Sequence, residues 1–315
     1  MWKRLLPIVV GLVLFALALR SFPLQKVWDQ LRLVHWGYCP LILLCFLVMV
    51  YLKGIRWSFL LKMQGHRYSV WNCFLIYMAS LFWGNVTPGR AGDFMKVLYL
   101  KRDLNLSIGT GMTSILVDRI FDLYLLLILG CLGFLVYPMP VDPNLVRLVW
   151  IFFGILVFAS ALVFNRRIGE VLIKTAFEKV LGARLKEKAN QNFEDFHKGM
   201  EAYYSPALLV PVLLSLASYV VSFSGCLLIA ESMGLHFSIF YVAFCISIVN
   251  IVSLLTLLGM GTREWALKFL FALNGLADAQ AGVFDALLFL DGTILFSLLC
   301  FFCFLIKPIH SDVKP

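Results

Sequence analysis

The chain has 315 residues, of which 61% are hydrophobic and 14% are charged, and its formal net charge is +9. Soluble domains carry about 25% charged residues, and apolar runs of about 20 residues are typical of membrane-spanning helices. The composition therefore excludes a soluble globular protein and predicts an all-α integral membrane protein. We attribute the surplus of Lys and Arg to cytoplasmic loops and anionic lipid headgroups, and expect no nucleic-acid partner.

The cysteines and the sequence motifs give no sign of a metal or a cofactor. The eight cysteines lie mostly inside apolar runs and are interpreted as small buried hydrophobic residues, without disulfides or a zinc site. No GxGxxG, Walker loop, HExxH or Ser/His/Asp arrangement occurs. We therefore expect no cofactor and no metal, and assign no catalytic residue.

Residues 1–19 allow two interpretations. Lys3 and Arg4 precede an apolar stretch that ends in a small-residue sequence, as in a cleaved signal peptide. The alternative is a short first span that begins in the cytoplasm, and the topology below requires that alternative.

Seven further apolar runs follow along the chain. They cover residues 39–61, 70–83, 108–137, 145–164, 207–230, 239–258 and 284–306. The run at 70–83 is short for a complete crossing, which needs about 20 residues.

The charge of the connecting segments predicts which runs cross. If every run crosses, the segment 165–206 lies outside with its eight Lys and Arg residues, against the positive-inside rule. If 70–102 instead enters and leaves from the cytoplasm as a re-entrant hairpin, that segment becomes cytoplasmic and is expected to form amphipathic interfacial helices. A second hairpin at 239–274, entering from outside, then places both termini in the cytoplasm.

The resulting architecture is about six spanning helices plus two re-entrant helical hairpins. Residues 1–137 form the first half and residues 138–315 the second, with opposite orientations. Such inverted-topology repeats are found in many transporters, whose sites lie at broken helices near the membrane midplane.

Two Gly-rich, charged turns interrupt the predicted hairpins, GNVTPGRAGDF at 84–94 and GMGTRE at 259–264. Irregular backbone inside a bilayer must line a cavity or be buried in protein. A helix begins after each turn, so free N–H groups, the positive end of the helix dipole and an Arg favour an anion there. The turns therefore predict two anionic-headgroup sites, one reached from each side. The residues expected to bind the headgroup are Thr87, Gly89, Arg90, Asp93, Gly261, Thr262, Arg263 and Glu264.

A structural alternative remains open for the same turns. Arg90 with Asp93, and Arg263 with Glu264, would then be ion pairs that hold the turns in place. The two acids would act as ordinary helix N-terminal residues.

The sequence SILVDRIFDLYLLL places further charges within an apolar run. Asp118 and Asp122 lie one helical turn apart, beside Arg119, and a charge at the centre of a span costs about 2.5–3.5 kcal/mol on insertion scales. These residues either form ion pairs with a hairpin or include a titratable carboxylate for proton coupling, for which Asp122 is the better candidate. Asp291, in the last apolar run, is assigned to the same group of charge-relay or ion-pair residues.

The segments NVTPGRAGDFMKVLYL, SILVDRIFDLYLLL and LLGMGTREWALKFL resemble the flippase-like membrane domain of lysylphosphatidylglycerol synthases, which also occurs as stand-alone bacterial and archaeal proteins. The resemblance covers nearly the whole chain. The sequence departs from the family at Asp118, where Glu is common, and at Asp291, near a position that is often basic. Because the soluble aminoacyl-transferring domain is not found in this chain, we do not expect it to synthesise the lipid.

The resemblance implies movement of a lipid between the leaflets of a bacterial or archaeal cytoplasmic membrane. The expected cargo is an anionic phospholipid, an aminoacylated phosphatidylglycerol or a polyprenyl- or hopanoid-type lipid. Expected partners are membrane lipids, with a lipid-modifying enzyme or a second copy of the chain as further candidates. Two alternatives stay open: an intramembrane transferase that uses Asp118 and Asp122, and a membrane scaffold for a lipid-modifying enzyme.

Overall fold

A computed structural model describes residues 24–85, 87, 92–137, 147, 150, 151, 154, 155, 157, 158, 183–253, 256 and 259–307. These residues form helices and short connections, with no strand among them. The predicted all-α class of membrane protein is confirmed.

Eleven α-helices are defined within the described residues. They are α1 (Leu24–Leu31), α2 (Cys39–Met63), α3 (Val70–Asn85), α4 (Met95–Leu104), α5 (Ile108–Val136), α6 (Ala183–Glu201), α7 (Leu209–Ser232), α8 (Ile239–Val252), α9 (Thr262–Leu273), α10 (Asp278–Phe289) and α11 (Phe296–Ile306). Short 3-10 turns precede α2 and α7, and a π-helical segment, Leu290–Leu295, joins α10 to α11.

Four helical stretches are long and apolar enough to cross a membrane. They are Trp36–Met63, Ile108–Val136, Pro206–Ser232 and Asp278–Ile306. The other two predicted spans, at 1–19 and 145–164, lie wholly or largely outside the described residues.

The last span begins earlier than its apolar run, at Asp278 instead of residue 284. The side chain of Gln280 accepts a hydrogen bond from the backbone N–H of Ala277 at 3.0 Å, and Asp278 places an acid in the first turn, where the helix dipole favours it. Local capping therefore extends the helix through a polar stretch. As a result Asp285 lies two turns inside the helix, not at its edge.

The helices α3 and α8 are each followed by a break and a shorter helix. At 16 and 14 residues and 1.5 Å per residue, they are about 24 Å and 21 Å long, less than the roughly 30 Å of a bilayer's hydrocarbon core. These lengths agree with the predicted hairpins, although entry and return on one side of the membrane stays a prediction.

The main helix contacts cross between the two halves of the chain. Helix α2 packs against α7, α5 against α8, and α3 against α11. If the two halves are exchanged, the α2–α7 contact is unchanged and the other two contacts replace each other. The contacts are therefore symmetric between the halves, and the opposite orientation of the halves stays a prediction. The two halves consequently share one core, to which Trp57, Ile76, Phe244 and Phe284 all belong.

Helix α6 lies within the predicted amphipathic segment and docks onto the start of α5. The Thr113 hydroxyl donates to the carbonyl of Phe196 at 3.0 Å, and the backbone N–H of Gly109 donates to Oδ1 of Asn192 at 3.2 Å. The Phe196 ring packs against a small cluster that includes Leu60 and Val117. Residues 165–182 lie outside the described part of this segment.

Candidate functional site

A network of buried charges centres on Arg56 of α2, which is fully buried. Its Nε and Nη2 donate to Oδ1 of Asp118 at 2.9 and 2.6 Å. Its Nη1 donates to Oδ1 of Asp122 at 2.9 Å and to Oγ of Ser215 at 2.8 Å. A single guanidinium group therefore ties α2 to α5 and α7, because its fixed fork of donors contacts several acceptors at once.

Two lysines complete the pairing of the α5 carboxylates. Lys53, one turn before Arg56, lies 3.0 Å from Asp122 and above the ring of Tyr219. Lys96 of α4 lies 3.3 Å from Oδ2 of Asp118 and is fully buried. Buried charges are tolerated when they are paired in this way.

Tyr77 of α3 adds a neutral partner to the network. Its hydroxyl donates to Oδ2 of Asp118 at 2.9 Å, and its ring lies under the ammonium of Lys96, 3.2 Å from the ring centroid. Asp118 is thus contacted from α2, α3 and α4, so this carboxylate is an anchor of the helix packing.

The first break is held against the end of α3. The Thr87 hydroxyl donates to the carbonyl of Trp83 at 2.7 Å and accepts the backbone N–H of Gly92 at 2.7 Å. Gly92 lies so close to α3 that an added Cβ would collide with the Trp83 carbonyl. The neighbouring Asp93 forms an ion pair with Arg119 of α5.

The second break is held by Arg263 and Glu264 at the start of α9. Nε of Arg263 donates to Oδ1 of Asp285 at 2.5 Å, and its Nη2 donates to Oε1 of Glu264 at 3.1 Å. The other oxygen of Glu264 accepts the backbone N–H of Gly261 at 2.6 Å, where φ is +83° and glycine is favoured. The Arg263–Glu264 pair of the structural alternative is therefore present.

Both breaks line one cavity of about 380 Å³. The two turns predicted two separate sites, whereas the structure places Thr87 and Asp93 on the same cavity as Gly259 and Arg263. Further charged side chains on its wall are Lys53, Arg119 and Asp122. The remaining wall is mostly apolar and comes from α2, α5, α7, α8 and the last span.

The other predicted site residues are distributed around this cavity. Thr262 forms a hydrogen bond with Thr256, which lines the cavity, and their hydroxyl oxygens are 2.9 Å apart. Asp118 lies within the buried network, and Asp291 is buried in the π-helical segment. Gly89 and Arg90 lie outside the described residues.

The sequence did not lead us to four polar partners in these clusters, which are Lys53, Arg56, Tyr77 and Lys96. Asp285 was placed at the start of the last helix and assigned no role, whereas it pairs with Arg263. A signal was available for the first two. Lys53 and Arg56 lie inside the apolar run 39–61 and are three residues apart, so they share a helix face. Charges inside a span are costly and call for a partner.

The first cluster carries a formal surplus of positive charge. Four cations, Lys53, Arg56, Lys96 and Arg119, are paired with three carboxylates in the described residues, Asp93, Asp118 and Asp122. An anion in the adjoining cavity would balance this charge. Across the described part of the chain, no group of three or more His, Cys, Asp or Glu side chains is arranged to hold a metal.

Comparison with known proteins agrees with a membrane protein of this class. The family profile described as the lysylphosphatidylglycerol synthase TM region matches residues 4–306. A UPF0104 membrane protein of Methanocaldococcus jannaschii is 24% identical over 323 residues, covering 96% of this chain and 94% of the relative. A UPF0104 membrane protein of Methanothermobacter thermautotrophicus is 25% identical over 292 residues, covering 86% and 83%. No solved structure matches the chain significantly.

Proposed function

Because this chain belongs to the lysylphosphatidylglycerol synthase TM region family, we propose that it translocates lipids between the leaflets of a bacterial or archaeal cytoplasmic membrane. The cargo carries an anionic headgroup, as in a phospholipid or a polyprenyl phosphate, or belongs to the hopanoid type. The observation that carries this proposal is the single cavity lined by both helix breaks.

The electrostatics of the cavity suit a phosphate headgroup. Lys53 and Arg119 on its wall belong to the cluster with surplus positive charge, and Arg263 approaches from the opposite break. A guanidinium binds phosphate through charge-assisted, bidentate hydrogen bonds. Apolar residues such as Phe46 and Leu126 complete the wall. In this proposal the headgroup enters the cavity and the acyl chains stay in the surrounding lipid.

The contacts of the buried acids favour translocation over the transferase alternative. A transferase needs a general base near the reacting group. Asp118 accepts hydrogen bonds from Arg56 and Tyr77, and Asp122 accepts one from Arg56 and pairs with Lys53. Carboxylates held by cations in this way are stabilised in their charged form and are weak bases.

Reconstitution in lipid vesicles tests the proposal. Vesicles would contain traces of fluorescent phosphatidylglycerol, phosphatidylcholine or polyprenyl phosphate, and a membrane-impermeant reductant would quench the label in the outer leaflet. We expect the protein to expose more labelled anionic lipid to the reductant than in protein-free vesicles, and Arg119→Gln to reduce that fraction. Arg67→Gln, which changes an exposed loop residue, is the matched control. Equal quenching in protein and protein-free vesicles for every lipid would refute the proposal.

The proposed orientation places both termini in the cytoplasm. It is supported by the eight Lys and Arg residues of segment 165–206 and by the docking of α6 beside the start of α5. Fusion of a reporter that is active only in the cytoplasm, at either terminus, tests it. An inactive reporter at either end, in a fusion protein that is present in the membrane, would contradict the orientation.

A further inference from the structure

Asp291 is a buried carboxylate that belongs to neither of the charged clusters described above. It lies in the π-helical segment Leu290–Leu295 within the last span, and its relative exposure is 0%. Neither carboxylate oxygen has a hydrogen-bond partner at ordinary distance among the described groups. The other acids near the cavity, such as Asp93 and Asp122, are all ion-paired.

The groups that face Asp291 supply no positive charge. The segment packs against α2, α10 and α11. From α2, the thiol of Cys39 is the side chain that interacts with the carboxyl group. On α10, Asp285 is occupied by Arg263, and α11 contributes Cys300 and Cys303 as its titratable groups. Within the described residues, no Lys, Arg or His forms an ion pair with Asp291.

An isolated carboxylate in such surroundings takes up a proton. Transfer of an unpaired charge from water into a protein interior is so unfavourable that the group neutralises instead. A metal cation would require several oxygen ligands around it, and the described residues hold no group of three or more His, Cys, Asp or Glu side chains arranged to bind one. A proton needs only the carboxylate itself.

The position of Asp291 connects its charge to the cavity. The next two residues, Gly292 and Thr293, line the cavity wall, and an added Cβ on Gly292 would lie 3.4 Å from the ring of Phe46. The backbone N–H of Phe296 donates to the carbonyl of Asp291, five residues earlier, which is the widened π turn. Single π turns within α-helices are frequent at functional sites.

We propose that Asp291 is a proton-binding site whose loss and gain of a proton reshape the π turn at the cavity wall and so couple lipid movement to a proton gradient. The proposal rests on the proposed translocation and names the ion coupled to it. Deprotonation would place a charge beside Cys39 and draw the turn toward water in the cavity. Protonation returns the carboxyl group to its apolar surroundings.

Infrared spectroscopy of the purified protein in lipid tests the proton site without any transport assay. We expect the carbonyl stretch of a protonated, buried carboxylic acid at neutral pH, a shift of that band when aspartate is labelled with heavy carbon in its side-chain carboxyl group, and loss of the band in Asp291→Asn. Asp278→Asn, at the exposed start of the same span, should leave the band in place. Absence of a labelled aspartate band in the wild-type protein overturns the proposal, even if Asp291→Asn fails to fold.

Transport measurements then separate the two proposals. With a proton gradient across the vesicles, the wild-type protein should accumulate labelled phosphatidylglycerol in one leaflet, whereas Asp291→Asn should only equalise the leaflets. A wild-type rate that is independent of the gradient overturns the coupling but leaves translocation intact. An aspartate band in a protein that moves no lipid overturns translocation and leaves the proton site standing.

Discussion

Arg56 contacts Asp118 through two of its nitrogens, at 2.9 and 2.6 Å, although the two residues are 62 positions apart in the chain. Both side chains are fully buried. A buried pair of this kind contributes little relative to an apolar pair of the same shape, but it is costly to break, because one charge is left without a partner. The pair therefore specifies which helices are neighbours.

Replacing Arg56 by Met should lower the free energy of unfolding by about 3–5 kcal/mol, the range for breaking a buried ion pair. The loss arises because Asp118 and Asp122 keep only lysine partners and Tyr77. Denaturant unfolding in detergent micelles, followed by fluorescence, measures the change.

The double variant Arg56→Met with Asp118→Asn tests whether the lost stability comes from charge pairing or from packing. We expect it to be no more stable than Arg56→Met alone, because Asp118 keeps Lys96 as a partner in the single variant, whereas the double variant leaves the buried Lys96 without its carboxylate. Arg67→Met, in an exposed position, should match the wild type. A single variant as stable as the wild type would contradict the anchoring role of Arg56.

Arg119 and Arg263 should act on the same bound headgroup, because both line one cavity. Residues that share a partner show non-additive effects, whereas independent sites add in free energy. In the vesicle assay, Arg119→Gln and Arg263→Gln should each reduce transport of labelled phosphatidylglycerol about tenfold or more, and the double variant should fall short of the product of the two reductions. If the reduction in the double variant equals the product of the two single reductions, the result would instead support two separate sites.

Gly92→Ala should disrupt the first break. The added methyl group would collide with the carbonyl of Trp83 and the backbone nitrogen of Gly84, so the break would have to move away from α3. We expect reduced thermal stability and loss of transport in vesicles. Gly37→Ala is the matched control, because nothing lies within 4 Å of a Cβ there. A Gly92→Ala protein with the stability of the wild type would contradict this prediction, because it would show that the backbone at the break moves without cost to make room for the methyl group.

A charged cluster joins the end of the last span to α3, to α4 and to the connection before α3. Lys307 Nζ lies 2.8 Å from Asp103 and donates to the hydroxyl of Tyr68 at 2.7 Å and to Asn72 at 2.9 Å. Burial alone raises the pKa of Asp103, but hydrogen bonds from Arg102, Lys307 and Tyr68 outweigh it and lower the pKa from 3.8 to about 2. The charged form of Asp103 is thus favoured by folding.

The pH dependence of stability follows from the direction of this shift. Because the folded-state pKa lies below the unfolded one, the contribution of Asp103 is complete above about pH 4 and is lost as the pH falls toward 2. Thermal unfolding of Asp103→Asn should therefore differ from the wild type at pH 6 and approach it at pH values near 2. Asp29→Asn, at an exposed position, is the control, and an equal difference at both pH values would contradict the assignment.

The sequence by itself determined the environment and the local interruptions of the helices. Apolar runs near 20 residues require a membrane because each exposed apolar side chain favours lipid over water. Pro88 and the closely spaced glycines of GNVTPGRAGDF disfavour a continuous helix, since proline lacks an N–H and glycine relaxes the backbone. These are local properties, and the four long apolar stretches agree with them.

Only the tertiary structure decided which charges meet. From sequence alone, Arg263 had a neighbour in Glu264, yet it also holds Asp285 from another helix. The two breaks were expected to form separate sites, but the packing of α5 on α8 and of α3 on α11 brings them to one cavity. Helix contacts of this kind depend on the combined fit of many side chains, and no short stretch of sequence encodes them.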